Sequence, residues 1–130
     1  MSTSEALTRD VRVRVECRYS PERSEPARRE WFFLYTVKIT NEGDETVELR
    51  NRHWIITNAH GAVQEVRGPG VVGQQPRLRR GESFEYTSGC PLDTQFGSMR
   101  GTYDLVTVDS GEHFDVEIAP FALRQDGVFH

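Results

Sequence analysis

Cysteine and lysine are scarce in this sequence, and long apolar runs are missing. The two cysteines, Cys17 and Cys90, lie far apart with no CxxC near either, which excludes a zinc half-site and a thioredoxin-like pair. Buried, reduced thiols are the expectation. Lys38 is the only lysine among 16 basic residues, and 20 acidic residues outweigh them to give a net charge of −4. That balance argues against a nucleic-acid binder or an anionic-membrane binder held by phosphate charge. No apolar stretch approaches the ~18 residues of a membrane span, and the first ten residues lack the apolar core of a secretion signal. A cytoplasmic protein with no membrane insertion is expected. Helix-period segments of useful length are absent too.

What the sequence holds is globular: 36% hydrophobic, 10% aromatic and 28% charged residues in a chain of 130, enough for one domain and too short for two. Residues 1–8 read as a flexible N-terminus and 9–130 as the single domain. Val11, Val13, Val15, Cys17 and Tyr19 alternate against Arg12, Arg14, Glu16 and Arg18, the pattern of a half-buried strand. Residues 20–30, with two prolines, form an exposed crossover. Trp31, Phe33, Tyr35, Val37 and Ile39 then supply a second inward row. Asn41–Asp44 predicts a tight turn into a strand over 46–50, making an antiparallel hairpin.

Further strands are predicted over 53–57, 63–66, 83–87, 99–108 and 112–118, with turn signals at 58–61 and 109–111 and a basic, glycine-rich loop over 67–82. Cys90 falls in a loop on this reading, so an inter-sheet disulfide with Cys17 is not expected. Many short strands with no helix predict an all-β fold, an antiparallel β-sandwich of seven to eight strands. Each single-faced strand needs a second sheet to bury its apolar side.

The motifs give few chemical leads. Gly68-Pro-Gly-Val-Val-Gly73 matches GxGxxG, but a dinucleotide site needs a helix directly after the glycines, and Pro76 interrupts the chain there. Two readings stay open: a structural loop, or an anion or partner site using Arg67, Gly68, Gly70, Gly73, Arg77, Arg79 and Arg80. His53, His60, His113 and His130 fit no ligand spacing. The acidic turns 41–45 and 104–115 could hold Mg²⁺ weakly or simply be solvated. There is no G-x-S-x-G, and Cys90 has no identifiable base, so neither catalysis nor a cofactor is expected. Phe32 and Leu34 point away from Phe33 and Tyr35. Either a loop covers them or they form an apolar patch for a partner.

Several segments carry a family resemblance: 35–43 (YTVKITNEG), 50–57 (RNRHWIIT), 66–76 (VRGPGVVGQQP), 84–92 (FEYTSGCPL), 97–103 (GSMRGTY) and 118–121 (IAPF). Together they resemble the bacterial ApaG family, whose domain also occurs within larger eukaryotic proteins. The resemblance implies a fibronectin type III/immunoglobulin-like sandwich. It also implies a link to cobalt resistance and magnesium efflux, with no catalytic residues to carry over. The eukaryotic contexts, an F-box adaptor and a DNA-polymerase-interacting protein, imply a protein-binding or regulatory module. A protein partner is therefore expected, and a homodimer through an edge strand is an open alternative.

Overall fold

The computed structural model describes residues 1–125; His130 and the last part of the expected domain lie outside the described residues. The strands are β1 (Ser2–Thr8), β2 (Val11–Tyr19), β3 (Trp31–Asn41), β4 (Val47–Asn58), β5 (Val63–Pro69), the two-residue β6 (Arg77–Leu78), β7 (Ser83–Leu92), β8 (Phe96–Thr107) and β9 (His113–Arg124). They form two antiparallel sheets, ordered β1-β2-β3-β7 and β5-β4-β8-β9, with β6 paired to β4. The fold is the predicted all-β sandwich, with eight full strands and the β6 stub. Residues 20–30 carry two short 3-10 turns, Pro21–Arg23 and Pro26–Arg28.

The core lies where the alternation placed it. Val11, Val13, Val15 and Cys17 of β2 and Phe33, Tyr35, Val37 and Ile39 of β3 are all buried. They face Trp54, Tyr103, Val116, Ile118 and Phe121 of the other sheet within one cluster. Trp54 is the hub of its aromatic part. Its ring meets Tyr35, Phe121 and Tyr103 at centroid distances of 5.3, 6.0 and 6.2 Å, each edge to face.

Four expectations need correction. Residues 2–8, expected as a flexible lead-in, form β1 and pair along their whole length with β2. The inward row of β1 is Ser2, Ser4, Ala6 and Thr8, too polar to show a hydrophobic period, so the strand is held mainly by backbone pairing. The 41–44 turn does not make a hairpin: β3 and β4 belong to different sheets. Asn41 builds this corner, because its Nδ2 donates to the carbonyls of Glu45 (2.8 Å) and Leu78 (3.0 Å) while its Oδ1 accepts from the Gly43 N–H (3.0 Å).

The segments 46–50 and 53–57 are one strand, β4, with a bulge between Leu49 and Asn51 that resets the inward row. Finally, Cys90 lies in β7 opposite Phe33, not in a loop. Gly89 and Pro91 read as turn residues, yet both fall at outward positions of an edge strand, where neither breaks the ladder to β3.

Candidate functional site at the open side of the sandwich

The two long margins of the sandwich differ. On one, β1 is stitched to β9: Ser2 Oγ donates to the Ala122 carbonyl (2.5 Å) and the Glu117 N–H donates to Thr8 Oγ1 (3.2 Å). On the other, β5 and β7 end their sheets, with no strand beyond them among the described residues.

Hydrogen-bond parity shows what these edges offer. The Asn58 N–H donates to the Ala62 carbonyl and the Gly70 N–H to the Arg50 carbonyl. With the β4–β5 register, the even-numbered residues of β5 therefore bond to β4. Val63, Glu65 and Arg67 turn their N–H and C=O groups outward. The Asn41 N–H donates to the Glu82 carbonyl, so by the same logic Ser83, Glu85, Thr87 and Gly89 turn theirs outward from β7. Pro69 and Pro91 stand at outward positions of both edges and end each row of donors, since proline has none to give.

Between these edges a slot of about 220 Å³ opens toward the core, lined by Tyr35, Arg52, Trp54, Gln64, Cys90 and Met99 among others. It adjoins a hollow of about 400 Å³ bordered by Arg29, Asn58, Val63, Pro91 and Asp93. An apolar, aromatic floor beside two rows of outward backbone groups is the chemistry that receives an extended peptide: main-chain bonds supply affinity and the slot takes a side chain.

Arg52 closes one end of the slot. Its Nη1 donates to the carbonyls of Pro69 (2.8 Å) and Gly70 (2.9 Å), and a Cβ on Gly68 would meet the guanidinium at 3.0–3.1 Å. The glycine pattern thus has a local cause at each position. Gly68 leaves room for Arg52. Gly70 has φ +62°, and a Cβ there would overlap the Gln74 carbonyl.

Gly73, at φ +78°, is the second central residue of a two-residue hairpin turn closed by Val71 and Gln74, each donating to the other at 2.8 Å. The loop turns carbonyls toward an arginine, spends the Val71 and Gln74 N–H groups on its own turn and gives the Gly70 N–H to the Arg50 carbonyl of β4. Val72, the first central residue, is an exposed valine at φ +43°, a conformation costly for a β-branched residue. Val72→Asn should stabilise the fold by about 1 kcal/mol, read as a rise in Tm of a few degrees. An unchanged or lower Tm would show the turn to be unstrained.

The loop arginines do not converge. Arg67 pairs with Glu65, Arg77 with Glu48, Arg79 with Glu82 and Arg80 with Asp44. All four are exposed, so these pairs contribute little to stability. Phe32 and Leu34 are half-buried. Arg23 of the crossover lies 4.4 Å above the Phe32 ring, and the ring's far edge covers Gly89, where a Cβ would strike it. In the acidic stretch 104–115, Asp104 accepts from Asn51 Nδ2 (2.8 Å) and meets His113 Nδ1 (2.9 Å). Among the described residues, no group of three or more His, Cys, Asp or Glu side chains is placed to hold a metal.

Cys17 and Cys90 are both buried and not joined by a disulfide. Burial pushes the Cys90 thiol up to about 12 from an ordinary 9.0, so at neutral pH it is protonated and a poor nucleophile. Burial likewise raises the hydroxyls of Tyr86 and Tyr103, which bond to each other between the sheets. The sign follows directly. Groups kept neutral by folding favour the folded state fully below their unfolded values, 9.0 for the thiol and 10.0 for tyrosine.

That stability is lost as pH climbs from those values toward 12, by up to about 1.4 kcal/mol per pH unit per group. Cys90→Ala should therefore melt with a shallower fall in Tm between pH 9 and 10 than the wild type. An equal fall would remove Cys90 from the account.

Sequence reasoning missed Arg52 and the open edges. The one signal for Arg52 was its place beside Trp54 on the same face of β4, two residues after the bulge.

Comparison with known proteins bears directly on this architecture. The ApaG domain family matches residues 21–107. The ApaG protein of Rhodopseudomonas palustris (strain TIE-1) is 56% identical over 118 residues, covering 91% of this chain and 90% of its own. That of Bordetella pertussis is 53% identical, covering 93% and 92%. A crystal structure titled as the putative ApaA protein from Bordetella pertussis superposes with a TM-score of 0.87 at 53% identity, covering 92% of this chain and 96% of that one. A second X-ray structure gives 0.87 at 43% identity, covering 96% and 94%. The outward edges, the slot and the arginine-latched glycine loop are thus features of a chain that belongs to the ApaG domain family.

Proposed function

We propose that this chain is a non-enzymatic protein-interaction module of the cytoplasm that binds an extended segment of a partner along its open side. The carrying observation is the asymmetry of the sandwich. One margin is closed by β1–β9 contacts, whereas the other keeps two edge strands and an aromatic slot between them. A sheet edge left unpaired invites another strand, and one flanked by a slot of mixed lining with aromatic residues at its floor gives that strand a side-chain anchor. The buried, protonated Cys90 and the ion-paired arginines of the glycine-rich loop support binding through this margin rather than chemistry at either place.

The test removes an outward donor without touching the inner ladder. Glu65→Pro and Glu85→Pro each delete one edge N–H, and neither N–H is used within its own sheet. In affinity capture of tagged protein from native lysate, a protein held by the wild type and by an Asp109→Asn control should fall at least several-fold with either proline variant. Equal recovery from folded proline variants would overturn the reading.

A further inference from the structure

The β5 edge reads as its own complement. Val63, Glu65 and Arg67 point their backbone groups outward, and the side chains of Glu65 and Arg67 share the outer face of the sheet, their charged ends 3.4 Å apart. Val66 points the other way and packs against the core. We propose that a second copy of this chain pairs with it, β5 against β5, antiparallel about a two-fold axis through Val66. The proposal rests on the interaction-module reading and names one partner for that margin.

In this register Glu65 stands opposite the second copy's Arg67, and Arg67 opposite its Glu65. Both are hydrogen-bonded pairs, because these residues carry the outward N–H and C=O groups. Opposite charges face each other twice, a favourable cross-strand arrangement. The Val63 N–H falls opposite the second copy's Pro69, which offers a carbonyl and needs no donor partner. The pairing therefore keeps one of the two bonds at each end, leaving only the Val63 carbonyl without a backbone donor. At the axis the two Val66 residues form a non-hydrogen-bonded pair, with Cα atoms about 4.5 Å apart and side chains on the inner face beside the slot. A slip of one residue would place Glu65 against Val66 and put charge on the inner face. A centre at Glu65 would oppose like charges. The β7 edge has no comparable pair, since Glu85 is its one charged outward residue.

The test is sedimentation velocity on the full chain across a concentration series, with four variants. The wild type should show a reversible dimer. Glu65→Arg and Arg67→Glu, which each create two like-charge contacts, should weaken it about tenfold or more. The double variant E65R/R67E should restore the wild-type dimer. Val66→Cys should form a symmetric disulfide on mild oxidation, since the pair distance suits one, with Cys17 and Cys90 left buried. A wild-type chain that stays monomeric and a Val66→Cys chain that does not cross-link would overturn self-pairing. A dimer that ignores the charge swaps would overturn this register. Capture that still depends on Glu65 and Glu85 in a monomeric wild type would leave the interaction-module reading standing, so the two failures are distinguishable.

Discussion

Gly101→Ala should unfold this protein or lower its stability by roughly 3 kcal/mol or more, near the top of what one methyl group can do. Gly101 sits at the centre of β8, opposite Trp54 of β4, just after the point where the β8–β9 register shifts. A Cβ at this position would overlap the His53 carbonyl oxygen and crowd the His53 carbonyl carbon and Trp54 Cα at 3.1 and 3.2 Å. All three are backbone atoms of the paired strand, so no rotamer relieves the clash. The two central strands of the sheet must separate or slide. Denaturant melts should show a midpoint far below wild type, and a Tm lower by about 10 °C or more. Gly89→Ala supplies the contrast. Its Cβ meets only the far edge of the Phe32 ring, which can rotate, so a loss several-fold smaller is expected. Similar losses at both sites would refute the argument from backbone contact.

Trp54→Ala should cost about 3–5 kcal/mol. The indole is 2% exposed and touches Tyr35, Tyr103 and Phe121 edge to face, so its removal empties the middle of the sandwich where residues from both sheets meet. The consequence reaches function, because Trp54 also lines the slot. Trp54→Phe keeps most of the packing while enlarging the slot. It should retain most of the lost stability and still weaken capture of a partner, whereas restored capture at wild-type level would assign Trp54 to the core alone.

Strict alternation made the inward rows of β2 and β3 legible in the sequence, since every outward residue of β2 is charged and those of β3 are polar or charged from Thr36 on, after the apolar Phe32 and Leu34. It failed wherever the strand was held by something other than hydrophobic period. The inward row of β1 is serine, alanine and threonine, and its order comes from backbone pairing to β2 and two side-chain bonds to β9. The 41–44 segment carries a good hairpin signal, but a turn sequence fixes how tightly the chain reverses and not which sheet receives the next strand. That choice was made by Asn41, whose amide reaches carbonyls on Glu45 and Leu78. The candidate site was less visible still. An open edge is a property of strand order, and parity of outward N–H groups is a property of register; neither is written in local composition. The glycine-rich loop was conspicuous in the sequence for the opposite reason. Its glycines answer local demands: clearance for Arg52, and positive φ at two turns.

The central claim, that this molecule works through the outward backbone of β5 and β7, can be tested before any partner is identified. Amide resonances of ¹⁵N-labelled full-length protein would be followed for hydrogen exchange in dilute buffer and again in concentrated unlabelled native lysate. Val63, Glu65 and Arg67, with Ser83, Glu85, Thr87 and Gly89, should exchange fast in buffer and slow markedly in lysate, while the already bonded even-numbered amides change little. Outward amides that exchange equally fast in both, with new protection appearing elsewhere on the surface, would contradict it.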